Sequence, residues 1–204
     1  MQISAETRWF WKDGVPADVE TWFRDGSCPP GGGQPRTDEY LLDRQQRELG
    51  IKIRGGGRGV EVKGLVARRE TMRTPFRGHV QIWSKWISEA LTIDQLPRVV
   101  ALKTRWLRKY DTSGAQVIEV PLDAEERPIA SGRTLERGCQ FELVVLRIGD
   151  AASSWWSIGF EAFGELETVE DSLHRTLASV GSRAPALTGG LGLSYPEWLA
   201  EFAM

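Results

Sequence analysis

Cysteine and histidine are scarce in this 204-residue chain, with two of each. Cys28 and Cys139 have no partner at metal-ligand spacing, so the default expectation is a reduced, cytoplasmic setting. His79 and His174 lie far apart, which leaves a histidine-based metal site or catalytic triad little to stand on. No long hydrophobic run approaches the length of a membrane-spanning helix. The opening stretch, MQISAETRWFWKDG, is charged within its first eight residues and lacks an apolar run, so no targeting segment is expected. An excess of charge of one sign is also missing. The formal net charge is −2, which implies no general affinity for nucleic acid or anionic membrane, and any cationic function must come from local clustering. Strand–helix alternation is absent, which argues against a doubly wound parallel sheet. Neither an internal repeat nor a low-complexity linker is visible, so one domain over residues 1–204 is expected.

What is present is ordinary in bulk: 41% hydrophobic and 26% charged residues, normal for a globular protein. The nine tryptophans are unusual for this length and read as core and sheet-packing aromatics rather than as platforms for stacked bases. Ile3 to Trp11 alternates as a strand, and Pro16 to Asp25 reads as a short helix with Gly26 just after it. SCPPGGGQP is a loop of breakers, and Asp38 to Asp43 is a candidate strand. Leu49 to Val66 reads as a hairpin, and the second strand continues from Gly64 before turning by Arg77. The following segment predicts a strand to about Trp86 and a helix from Ile87 to Leu96, ended by Pro97. Strands are expected at Val99–Tyr110, Gln116–Leu122, Gln140–Ile148 and Trp155–Phe163, with a charged loop over 123–138. An amphipathic helix over Glu167–Val180 carries Leu173, Leu177 and Val180 as its stripe, and the tail LGLSYPEWLAEF has apolar anchors that should dock. The fold class is therefore α+β, with a large and mainly antiparallel sheet or barrel.

The strands share one peculiarity: charge sits mid-strand on the face opposite the apolar one. Glu6 and Arg8, Lys52 and Arg54, Glu61 and Lys63, Lys103 and Arg105, then Glu119, Glu142 and Glu161 all follow this pattern. An antiparallel sheet with one wet face would look similar on any single strand. If the sheet closes, however, the charged face becomes the lining of a tunnel. Two like charges about 4 Å apart repel by roughly 4 kcal/mol at an effective dielectric near 20, so a tunnel with several Lys and Arg favours a polyanion. Carboxylates among them could hold a divalent cation against phosphate oxygens that Arg and Lys clamp. The glycine-rich GGGRG lacks the GK[ST] of a P-loop and opens no helix, so it reads as a tight turn with Arg58 as a solvated charge.

The order of these motifs resembles the CYTH superfamily, the triphosphate tunnel metalloenzymes, from Ile3 to about Val180. YLLDRQQRELGIKIR is similar to the family's Tyr–Asp segment and its Arg-x-Arg strand, and puts Lys52 and Arg54 in the basic places. VEVKG resembles the strand that ends in Lys63, and ALKTRWLRKY resembles the Lys-x-Arg strand with Lys103 and Arg105. FELVVL and GFEAFGE resemble the late acidic strands with Glu142 and Glu161, and SYPEWL is similar to the family's ending. The family's first-strand signature is Glu-x-Glu-x-Lys, where this chain has Ser4, Glu6 and Arg8; its last acidic strand carries Glu-x-Glu, where this chain has Gly159 and Glu161. The resemblance implies a closed antiparallel barrel with flanking helices that binds a triphosphate, a polyphosphate or another phosphorylated small molecule. In the active version Glu6, Glu142 and Glu161 hold Mg²⁺ or Mn²⁺, with Glu6 and Glu161 as the catalytic carboxylates. Arg8, Lys52, Arg54, Lys63, Lys103 and Arg105 grip the phosphates. The alternative is a non-catalytic binding module on the same fold, and a third reading is an interaction protein whose charged face is merely solvated. Neither a nucleic-acid duplex nor a membrane is an expected partner.

Overall fold

The computed structural model describes residues 1–26, 33–55, 59–71, 75–91, 93, 95–129, 135–149 and 153–203. Eight strands form a ring: β1 (Gln2–Lys12), β2 (Gln34–Leu41), β3 (Leu49–Arg54), β4 (Val60–Thr71), β5 (Gly78–Ser88), β6 (Arg98–Asp111), β8 (Gly138–Ile148) and β9 (Trp155–Gly164). Their order is β1-β5-β4-β3-β2-β6-β8-β9, and β9 pairs back onto β1 along ten residues, so the barrel closes. Every pairing is antiparallel. Short β7 (Ile118–Val120) adds to β6, and β10 (Leu191–Gly192) adds to β1. Three helices flank the ring: α1 (Ala17–Arg24), α2 (Leu166–Gly181) and α3 (Tyr195–Phe202).

Period-two alternation explains the closure. On β1 Ala5, Trp9 and Trp11 point outward into one apolar layer with Phe141, Leu143, Ile158 and Phe160 of β8 and β9. That layer is sealed by Val19, Trp22 and Phe23 of α1 and by Val169, Leu173 and Leu177 of α2. Trp22 and Phe76 pack on the rings of β8 and β9, with Phe141 and Phe160 stacked at 4.3 Å. On the other side Leu49, Ile51, Ile53, Val60 and Val62 turn outward and gather around Ile93, so the apolar face of the hairpin has a cover of its own. Most of the hydrophobic core thus lies outside the barrel, and the inner face is left to other groups.

Three expectations need correction. Among the described residues of 87–96 there is no helix: β5 runs on to Ser88 and is followed by bends. The spacing of Trp83 and Ile87 fits one turn of a helix but equally one phase of a strand, and on β5 Trp83 is buried while Ile87 is largely exposed. The strand expected from Asp38 begins earlier, at Gln34, and ends at Leu41, because its pairing with β6 extends back to Gln34 opposite Arg105. Glu119 does not join the inner face. It sits on β7, outside the ring, and forms two hydrogen bonds with Arg108. Arg58 and Cys28 lie outside the described residues. No described helix is long and apolar enough to cross a membrane.

Candidate functional site

The inner face of the barrel carries a cavity of about 110 Å³, against the roughly 10–15 Å³ that one water needs on that measure. It has room for a small polyatomic ligand. All nine side chains assigned to a site from the sequence line it, together with Glu61 of β4: Glu6 and Arg8 from β1, Lys52 and Arg54 from β3, Lys63 from β4, Lys103 and Arg105 from β6, Glu142 from β8 and Glu161 from β9. They meet because each stands on the inward phase of its strand. Arg36, Asp38, Tyr40, Lys85 and Tyr195, to which the sequence pattern assigns no site role, line the same space, with Glu126 behind it. Arg36 and Asp38 alternate with exposed Pro35 and Thr37 in a stretch that begins beside a proline- and glycine-rich loop, so their strand phase was hidden. Lys85 shares the phase of Trp83, and that strand-like spacing was the signal available for it.

One end of the barrel is filled by α3. Ser194 starts this helix with a capping box: its side chain accepts from the Glu197 backbone, and the Glu197 carboxylate accepts from the Ser194 backbone at 2.8 Å. Glu197 also receives Gln81 at 3.1 Å and Arg68. A register shift between Leu65 and Ala67 turns Arg68 to the inner phase, opposite Gln81. Trp198 stacks on Phe10 at 5.2 Å and meets Trp155, while Leu199 joins the cluster that contains Tyr40, Ala101, Val144 and Leu146. Tyr195 and Pro196 at the start of the helix form the inner floor of the cavity.

Eight cationic side chains face five carboxylates in the lining, a surplus of three, which Glu126 reduces to two. Arg8 binds Glu142 and donates to Ser157 Oγ at 3.0 Å, and its guanidinium lies over the Tyr195 ring at 4.6 Å. Burial acts against both members of that pair. Even so, the Glu142 carboxylate holds Arg8 above its ordinary range, and Arg8 and Arg105 bring Glu142 down to about 2. Lys103 donates to Asp38 at 2.9 Å and to the Tyr40 hydroxyl at 2.6 Å, and sits 4.0 Å from the centre of the Tyr195 ring. Burial pulls Lys103 down to about 8 despite Asp38. Asp38 is also buried, but Lys103 and Lys52 hold it well below the usual carboxylate range. Lys63 pairs with Glu6, and Ser4 Oγ donates to Glu6 at 2.6 Å. Glu161 stands directly opposite Glu6 across β1 and β9. Burial first and Glu6 second push its carboxyl upward, with Lys85 3.7 Å away.

Among the described residues no three His, Cys, Asp or Glu side chains are grouped to hold a metal ion. Glu6 is occupied by Lys63, and Glu142 lies between Arg8 and Arg105. As arranged, the donors do not fit a Mg²⁺ or Mn²⁺ cage. The arrangement can hold several negative charges in one place: guanidinium and ammonium groups converge from six strands, with aromatic rings beneath them. No protein-family model matches the sequence, and no curated protein matches it either.

Proposed function

We propose that the barrel cavity binds a multiply charged phosphorylated small molecule, with a triphosphate or short polyphosphate as the best match, and that the chain is a divergent relative of the CYTH triphosphate tunnel proteins. The supporting observation is the convergence of eight Lys and Arg side chains on one cavity whose inner end is filled by α3. A barrel with a merely solvated charged face would not bury Arg8, Lys103 and Glu142 beside it. Desolvating those groups costs several kcal/mol each unless a partner compensates, and the net positive remainder is a place for an anion. Arg offers phosphate a planar fork and Lys a point charge, so both types suit the same ligand.

A thermal-shift panel of tripolyphosphate, nucleoside triphosphates and inorganic phosphate tests this. A tight ligand present at 100 times its dissociation constant should stabilise the protein by about 2.7 kcal/mol, and inorganic phosphate should do less than tripolyphosphate. No shift with any of the three would remove the reading. Turnover is the second reading, favoured by Glu161, a part-buried carboxyl that burial and the facing Glu6 push above the ordinary carboxylate range, the direction that suits a general base. Phosphate release from tripolyphosphate, lost in Glu161→Gln, would establish it.

A further inference from the structure

Gly159 lies between Arg8 and Glu142 in the sheet, opposite Arg8 on β1 and opposite Glu142 on β8. With no side chain there, the Arg8 guanidinium crosses directly over it: a Cβ on Gly159 would come within 2.6 Å of Arg8 Cζ. Arg8 thus fills the space that any side chain from position 159 would take, and it contributes a positive charge to the centre of the wall. Around it the cations divide into two sets. Arg8, Arg36, Lys63, Lys103 and Arg105 are tied to carboxylates by short contacts. Lys52, Arg54 and Lys85 are held less closely. Lys52 is 3.2 Å from Glu61 and 3.6 Å from Asp38; Arg54 is 3.7 Å from Asp38 and 3.9 Å from Glu61; Lys85 is 3.7 Å from Glu161. Arg54 has half of its side chain in solvent, so an incoming ligand meets it without opening the barrel.

Building on the polyanion reading, we propose that the anion is bound directly by Lys52, Arg54 and Lys85, and that no divalent cation bridges it to the carboxylates. The tightly paired cations shape and neutralise the wall. The loosely paired ones exchange a carboxylate oxygen at longer range for a nearer phosphate oxygen, a shorter charge-assisted bond in place of a long one. With a protein cation already beside each carboxylate, a metal would have to displace it before it could bridge.

Titration calorimetry with tripolyphosphate as the probe tests this, first in EDTA and then with Mg²⁺ in place of EDTA. Binding should be present in EDTA and no tighter with Mg²⁺. In EDTA, Arg54→Met and Lys85→Met should each weaken binding roughly ten- to a hundredfold, the size of one charge-assisted bond. Arg69→Met, which removes a largely exposed cation paired with Glu170, serves as the control and should bind as the unaltered protein does. Binding that appears only with Mg²⁺ would overturn the direct mode and leave the polyanion reading standing. Variants of Arg54 and Lys85 that bind like the control would overturn the assignment of these residues. No binding under either condition would overturn the polyanion reading along with it.

Discussion

The inner face of the barrel holds two regions of opposite character, built on the same strands. Along β1 the inward side chains run Glu6, Arg8, then Phe10; along β8 they run Glu142, Val144, Leu146; along β6, read backward, they run Arg105, Lys103, Ala101. One step along the strand separates a buried ion-pair network from an aromatic cluster. The difference does not come from the sheet, whose geometry is the same in both regions. It comes from α3, which supplies Trp198 and Leu199 to one region and ends its contribution to the other at Tyr195 and Pro196. Where a helix fills the barrel, apolar burial stabilises it. Where none does, charges must neutralise one another and leave space.

Trp198→Ala should break this comparison most severely. It removes a fully buried indole from between Phe10, Trp155 and Tyr195 and opens a void at the floor, at a cost of about 3–5 kcal/mol. Urea denaturation gives the value, and a loss below 1 kcal/mol would mean that α3 is not the element that closes the end. Arg8→Ala comes next. It leaves Glu142 buried with Arg105 at 3.5 Å as its remaining close cation, and should cost about 3 kcal/mol. The double variant Arg8→Met with Glu142→Met should recover most of that loss, because two apolar groups of similar size need no partner. Equal destabilisation by the single and the double variant would show that Arg8 acts through packing alone.

The smallest effect belongs to Glu161→Gln, and it carries the opposite sign. The folded carboxyl titrates above its unfolded value. Stability from this group is therefore complete below the ordinary carboxylate range and is lost as pH rises through the folded pKa. The amide cannot ionise against Glu6, so the variant should be more stable than the parent at pH 7 by up to about 1 kcal/mol, with the difference closing toward pH 4. Melting curves at the two pH values check it. A variant less stable at pH 7 would mean that the Glu161 carboxylate is satisfied by Lys85 rather than strained by Glu6.

Strand phase made much of this legible beforehand. Ten inward-facing charged residues could be named because charge and apolar side chains alternate with period two, and closure of the sheet then puts the charged phase of the ring strands on one surface, leaving out only Glu119 on β7. Arg36 and Asp38 escaped because a strand preceded by proline and glycine shows no apolar partner phase, and the 87–96 segment misled because its apolar spacing fits both a strand and a helix turn.

The sequence by itself determined that the charged side chains of most strands share the face opposite the apolar one, since alternation is a property of the strand and needs no tertiary information; closure of the barrel made that face the inside. It also determined that the tail would dock, through Tyr195, Trp198 and Leu199. Only the tertiary structure decided which cation meets which carboxylate. Arg8 reaches Glu142 across Gly159 because three strands bring residues 8, 159 and 142 side by side, although Arg8 lies over a hundred positions from the other two in the chain. The same is true of the loosely held set. Whether Lys52, Arg54 and Lys85 sit within bonding distance of an oxygen or a little beyond it depends on the curvature of the closed barrel, which no local pattern encodes.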